Sequence, residues 1–131
     1  MSAELWAKVI ERDAIEMWLQ TEGRLEHGIP FSRWRASLRL VCVPRFLDPS
    51  TLGPCSGAQT VEHVKDQPLI GAGKIDPRPH ERRTIRAPSD ERHLVACCWW
   101  HNAVRVPSKD TRFRLRSWLR RLHPDYYVEA T

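Results

Sequence analysis

A chain of 131 residues and 15.3 kDa has the size of one domain, able to bury roughly two thirds of the surface its unfolded form exposes and too short for a second full domain. Its 41% hydrophobic share and six tryptophans argue against disorder, and no apolar run approaches the roughly 18 to 20 residues of a membrane span. Twenty-one Lys and Arg against sixteen Asp and Glu give a formal charge of +5 and a pI near 9.4, a bias toward polyanions such as nucleic acid, although a solvated basic surface explains charge alone equally well.

The opening MSAELWAKVIERD is charged where a signal peptide needs an apolar core, which leads us to expect a soluble, cytoplasmic protein. In a reducing compartment Cys42, Cys55, Cys97 and Cys98 read as metal ligands or core thiols rather than as two disulfides. From Ser2 to about Gly23 the spacing predicts a helix, with Leu5, Trp6, Val9, Ile10, Met17 and Trp18 on a face that is either core or a partner surface. From Trp34 to Val43 the loose alternation of Trp34, Ala36, Leu38, Leu40 and Cys42 predicts a half-buried strand. The Pro and Gly rich PRFLDPSTLGPCSG breaks it, and a second short strand runs from Gln59 to Val64. Residues 65 to 88 form a long irregular connection. The last element is an amphipathic helix capped by Ser108 or Asp110, with Leu115, Trp118, Leu119 and Leu122 inward, Pro124 as its stop and arginines around the stripe. The expected organisation is a single domain, 1–131, in three parts: a helical segment (1–33), a core (34–107) and a basic C-terminal helix and tail (108–131).

The chemistry concentrates in two islands, PCSGAQTVEHVKD and SDERHLVACCWWHNAV. Cys98 and His101 stand three residues apart, a spacing from which one turn can offer a thiolate and an imidazole to a tetrahedral zinc. Cys42 and Cys55 flank the Pro and Gly rich loop and can supply the other pair. Such a Cys3His site would pin the irregular middle of the chain where apolar burial is scarce. Cys97 is the spare: it can replace Cys98, but is more simply a small buried side chain.

The order TVEHV, then a long connection, then HLVACCWWHNAV, resembles the HNH or ββα-metal nuclease superfamily, closest in flavour to phage HNH proteins and recombination endonucleases of the endonuclease VII type. The resemblance covers roughly Leu40 to Val106. It implies an α+β fold, a small zinc-stapled ββα-metal core with a helix from Trp99 to Val106, flanked by the N-terminal helix and the basic C-terminal helix. It implies an endonuclease that hydrolyses phosphodiester bonds in DNA, with RNA left open, working as a monomer or homodimer without a membrane partner. A phage or mobile-element origin and a bacterial host cytoplasm go with it. His63 would be the general base, an imidazole whose unperturbed pKa of about 6.5 suits taking a proton from water. Glu62 and Asn102 would ligate a catalytic Mg2+ or Mn2+ beside the structural Zn2+ held by Cys42, Cys55, Cys98 and His101. His93 stands where many members have Asn, and would brace the loop or touch phosphate in the catalytic group. Arg82, Arg83, Arg86, Arg112, Arg116 and Arg120 would hold the nucleic-acid backbone.

Three features depart from the family pattern: Glu62 replaces the usual Asp, His101 the customary second Cys, and His93 the Asn. These departures keep a second reading open, a non-catalytic zinc-stapled module that binds nucleic acid. A third reading uses Trp6, Met17 and Trp18 as a protein-docking face.

Overall fold

Residues 1–25, 28–64, 90–106 and 108–127 are described by a computed structural model of the chain. Helix α1 spans Ala3–Leu25, α2 Phe31–Ser37, α3 Val43–Leu47 and α4 Pro49–Leu52. Strand β1 (Gln59–His63) pairs antiparallel with β2 (Leu94–Cys98), which follows a 3-10 turn at Glu91–His93, and α5 covers Lys109–Leu122. The architecture is mixed α+β. Among the described residues no helix is long and apolar enough to cross a membrane.

The α1 helix forms as its sequence predicts. Ser2 Oγ accepts the Leu5 N–H at 3.1 Å, capping the first turn. Val9, Ala14 and Met17 are buried, while Leu5, Trp6 and Ile10 pack around Val61 and Leu94 of the sheet. The face considered for protein docking is therefore largely the inner face, since Met17 is only 6% exposed.

The expected strand from Trp34 to Val43 does not form. Pro30 starts helix α2, and the Phe31 and Trp34 rings, three residues apart on one helical face, pack against Trp18 in sequence, 5.7 and 6.3 Å between neighbouring centroids. Trp34 and Leu38, four residues apart and both packed on the core, satisfy a helical period as well as an alternating one, and the proline decides between them. The same rule corrects the next segment. Pro44 and Pro49 open helices α3 and α4 instead of breaking the chain, because the first turn of a helix has no use for their missing N–H.

A two-stranded sheet is marginal in water unless something covers it. All five residues of β2 are buried, and α1 guards its outer edge with side chains. Asp13 Oδ2 accepts the Ala96 N–H at 2.8 Å, and Arg12 donates to the Leu94 carbonyl at 2.6 Å and to that of Glu91. Asp13 is wholly buried and also takes the Trp118 indole N–H at 3.0 Å, so one carboxylate ties α1, β2 and α5 together. On the main core Leu115, Trp118 and Leu119 of α5 meet Val41, Val43, Val95 and Val106. Ser108 caps α5, accepting the N–H groups of Asp110 and Thr111 at 3.1 and 3.4 Å.

The helix expected from Trp99 to Val106 is also absent. Asn102 N–H reaches Trp99 O at 3.4 Å and Arg105 N–H reaches Asn102 O at 2.7 Å, a run of successive turns. Asn102 causes part of this: its side-chain oxygen accepts the Val104 N–H at 2.8 Å, a local bond that competes with the helical one.

Candidate metal centre

The four residues expected to hold zinc come from three separate places. Cys42 immediately precedes α3, Cys55 follows α4, Cys98 ends β2 and His101 lies in the turn after it. Two devices bring them together. The Gln59 side chain pairs with the backbone of Val41 as a neighbouring strand would, donating to its carbonyl and accepting its N–H, both at 2.8 Å, and so sets Cys42 against the sheet. Gly57 adopts φ +82, which lets the loop after Cys55 pass directly over Trp99. A Cβ there would lie 2.7 Å from Trp99 Cβ, and the positive φ already disfavours any side chain. Gly57→Ala is expected to destabilise the protein by about 1 to 3 kcal/mol, read by urea unfolding, and to weaken metal binding in parallel; an unchanged midpoint would show that the loop can move aside.

The Sγ atoms of Cys42, Cys55 and Cys98 stand 3.7, 3.7 and 3.3 Å from His101 Nδ1, and the four ligand atoms all lie within 4.8 Å of one another. A tetrahedral zinc with Zn–S of about 2.3 Å and Zn–N of about 2.0 Å requires S···N separations of about 3.5 Å. The cage thus has the right dimensions for such an ion. His101 also has the right tautomer enforced on it: Nε2 lies 2.7 Å from the Leu52 carbonyl, which can only accept, so Nε2 carries the proton and Nδ1 presents its lone pair to the thiols.

The three thiols of the cage differ in how readily they ionise. Burial pushes the Cys42 and Cys55 thiols up from their ordinary value. Cys98 is also desolvated, but the N–H groups of His101, at 3.2 Å, and of Ser56 donate to its sulfur and hold it below the usual thiol range. Three thiolates in so small a space need a positive ion. Among the described residues this Cys3His group is the one gathered closely enough to hold a metal. Cys97 points to the opposite face of β2, meets Thr60 Oγ1 at 3.2 Å and is pushed up to about 12 by burial, as a structural thiol would be.

The remaining expected site residues are less concentrated. His63 is the last residue of β1, half-buried, across from Leu94. Strand alternation puts Glu62 on the other face, near the Cys97 thiol, which also accepts the backbone N–H of Ala103. Glu62 and Asn102 have the hard oxygen donors a Mg2+ or Mn2+ ion prefers. The Asn102 oxygen accepts the Val104 N–H, and His63 lies on the opposite face of the strand from Glu62.

Of the two roles expected of His93, its surroundings match the bracing one. It is wholly buried, its Nε2 lies 2.7 Å from Tyr126 Oη, and the Tyr126 and Tyr127 rings stand edge-on to it at 5.4 and 6.1 Å. Burial holds its pKa below the ordinary histidine value. Its carbonyl accepts the Val64 N–H at 2.9 Å, just beyond the paired strands. This is a bracing position, closed to phosphate. Arg112, Arg116 and Arg120 form one half-buried stripe along α5, with Arg112 Nε donating to Val106 O at 3.2 Å. Arg82, Arg83 and Arg86 lie outside the described residues.

Sequence reasoning overlooked the supports of the site: Asp13, Arg12, Gln59 and Gly57. Asp13 had a readable signal, a carboxylate beside Ala14 and between Val9 and Met17 on the apolar side of α1.

Fold and site together define a mixed α+β protein with a buried Cys3His group able to bind a metal ion such as zinc. In comparisons with known proteins no family model matches the chain, and no curated protein or solved structure matches it.

Proposed function

We propose that the protein is a zinc-stapled nuclease of the HNH kind that hydrolyses phosphodiester bonds in DNA, with His63 as general base. One observation carries this reading. His63 ends β1, β2 runs antiparallel beside it, and β2 leads directly into the turn bearing metal ligands Cys98 and His101. The two strands and the ligand-bearing turn follow the order that the resemblance of TVEHV and HLVACCWWHNAV requires, with successive turns where it implies a helix.

In this reading His63 accepts the proton of the attacking water, and its position at a strand end leaves it half-exposed for that purpose. His93, clamped by Tyr126, fixes the backbone beside His63 through the Val64 N–H. The Arg112, Arg116 and Arg120 stripe supplies attraction to phosphates, which makes binding fall steeply with salt. Mg2+ or Mn2+ remains the expected co-catalyst of such cleavage.

The engaged Asn102 oxygen and the separation of Glu62 from His63 favour a second reading, a non-catalytic zinc-stapled module that binds nucleic acid. A plasmid-nicking assay with wild type and His63→Ala, with and without Mg2+ or Mn2+, separates the two. The nuclease reading expects metal-dependent nicking that falls by roughly 100- to 10,000-fold in the variant, with DNA binding unchanged. Absence of nicking under every ion, in protein that holds zinc and binds DNA, would give the case to the binding module.

A further inference from the structure

Between the two metal ligands of the last turn stand Trp99 and Trp100, 45% and 55% exposed. Their rings lie 6.3 Å apart and are tilted by 35°. They are held in place from beneath: Trp99 N–H donates to Ala58 O at 2.9 Å, Trp100 N–H donates to Ser56 O at 3.2 Å, and Gly57 lies against the base of the Trp99 ring. The Arg105 guanidinium is spread over the Trp99 ring, 4.1 Å from its centre. Trp99 thus presents a stacked cation, and Trp100 the more open aromatic surface.

We propose that this turn binds unpaired nucleobases of a single-stranded nucleic acid, one base stacking on Trp100 while Arg105, held flat by Trp99, takes the adjoining phosphate. Charge complementarity selects this occupant. The cation is part of the aromatic surface itself and the whole chain carries +5, so the patch suits a ligand that alternates flat rings with negative charges. A duplex hides the faces of its bases in its own stack, and only unpaired bases offer a plane to a tryptophan. The inference deepens the nuclease reading by naming the kind of nucleic acid that this turn would recognise, and it rests on that reading only for the nature of the polymer. Because the metal fixes both ends of the turn, the platform depends on the zinc-loaded protein.

The test is fluorescence anisotropy of a labelled oligothymidylate, and of a duplex, with metal-loaded full-length protein and its variants, each checked for zinc content. Trp100→Ala is expected to weaken oligothymidylate binding by roughly 5- to 150-fold and leave duplex binding as it was. Trp100→Phe should retain most of the affinity and Trp100→Leu little, which also guards against a variant that merely misfolds. Arg105→Gln should lower the slope of log affinity against log salt by about 0.7, the loss of one phosphate contact on a single strand. The proposal is overturned if Trp100→Ala binds oligothymidylate like wild type, if Trp100→Leu binds as well as Trp100→Phe, or if wild type prefers anionic phosphatidylserine vesicles to the oligonucleotide. Plasmid nicking reports separately: loss of the nuclease reading with Trp100-dependent binding intact leaves this inference standing, and nicking without that dependence removes this inference alone.

Discussion

Stripping the metal with a strong chelator, or replacing Cys98 with serine, is expected to lower the thermal midpoint by about 10 to 20 °C, on the scale of roughly 3 to 5 °C per kcal/mol for a domain of this size. The cage joins the entrance of α3, the loop after α4 and the end of β2, and the helices in between are only five and four residues long. Helices that short do not persist without tertiary support. Unfolding should begin in this region while α1, α5 and β2 keep their common core. Zinc determination and calorimetry on the same samples check the expectation. The sign with pH follows from the ligands: the metal binds thiolates, so acid competes with it, and both zinc content and midpoint should fall as pH falls. Purified protein that carries no zinc, or whose midpoint ignores the chelator, would remove the metal centre. A midpoint that responds to reductant instead would point to disulfide formation among the same thiols.

Asp13→Ala should destabilise the fold by about 3 to 5 kcal/mol, the range for breaking a buried pair by deleting one partner. The variant leaves the Ala96 N–H and the Trp118 indole N–H without an acceptor, and takes the carboxylate from the Arg12 guanidinium that contacts it at 2.8 Å. Asp13→Asn keeps one accepting oxygen and should lose less. Burial raises the Asp13 pKa above its ordinary 3.8, against the opposing pull of Arg12. The native state therefore holds this proton more tightly than the unfolded chain. The stability gained from it is full below the unfolded pKa and is lost as pH rises through the folded pKa. Wild type should accordingly lose ground to Asp13→Asn as pH rises from about 4, measured by urea unfolding across a pH series; a constant difference would mean that Asp13 is ionised at ordinary carboxylate pH.

The elements that could be read from sequence are those whose local pattern agrees with their tertiary use. In α5 the Ser108 cap, the Leu115, Trp118 and Leu119 stripe and Pro124 all gave one answer. The four cage residues were legible because thiol and imidazole groups have few other reasons to lie at such positions. The segment from 34 to 47 was misread because Trp34 and Leu38 fit two periods, and because prolines that open helices look like prolines that end them. The role of Gln59 was not legible: its amide mimics a strand for Val41, a contact between residues whose proximity no local pattern encodes. The partner of His93 was not legible for a related reason, since Tyr126 comes from beyond α5.

The bonds from α1 to β2 also bear on the order in which the chain can fold. Asp13 meets Ala96, Arg12 meets Leu94 and Gln59 faces Cys98, while Cys42 and Cys55 converge on His101. Much of what steadies the first sixty residues is supplied by residues synthesised late, from β2 and its turn and from α5. Closing loops this long costs entropy before any contact compensates for it. A nascent chain lacking residues 94 to 101 would have α1 supported by α2 but without its bonds to β2, and two cysteines without their metal partners, so completion of the fold awaits the arrival of β2.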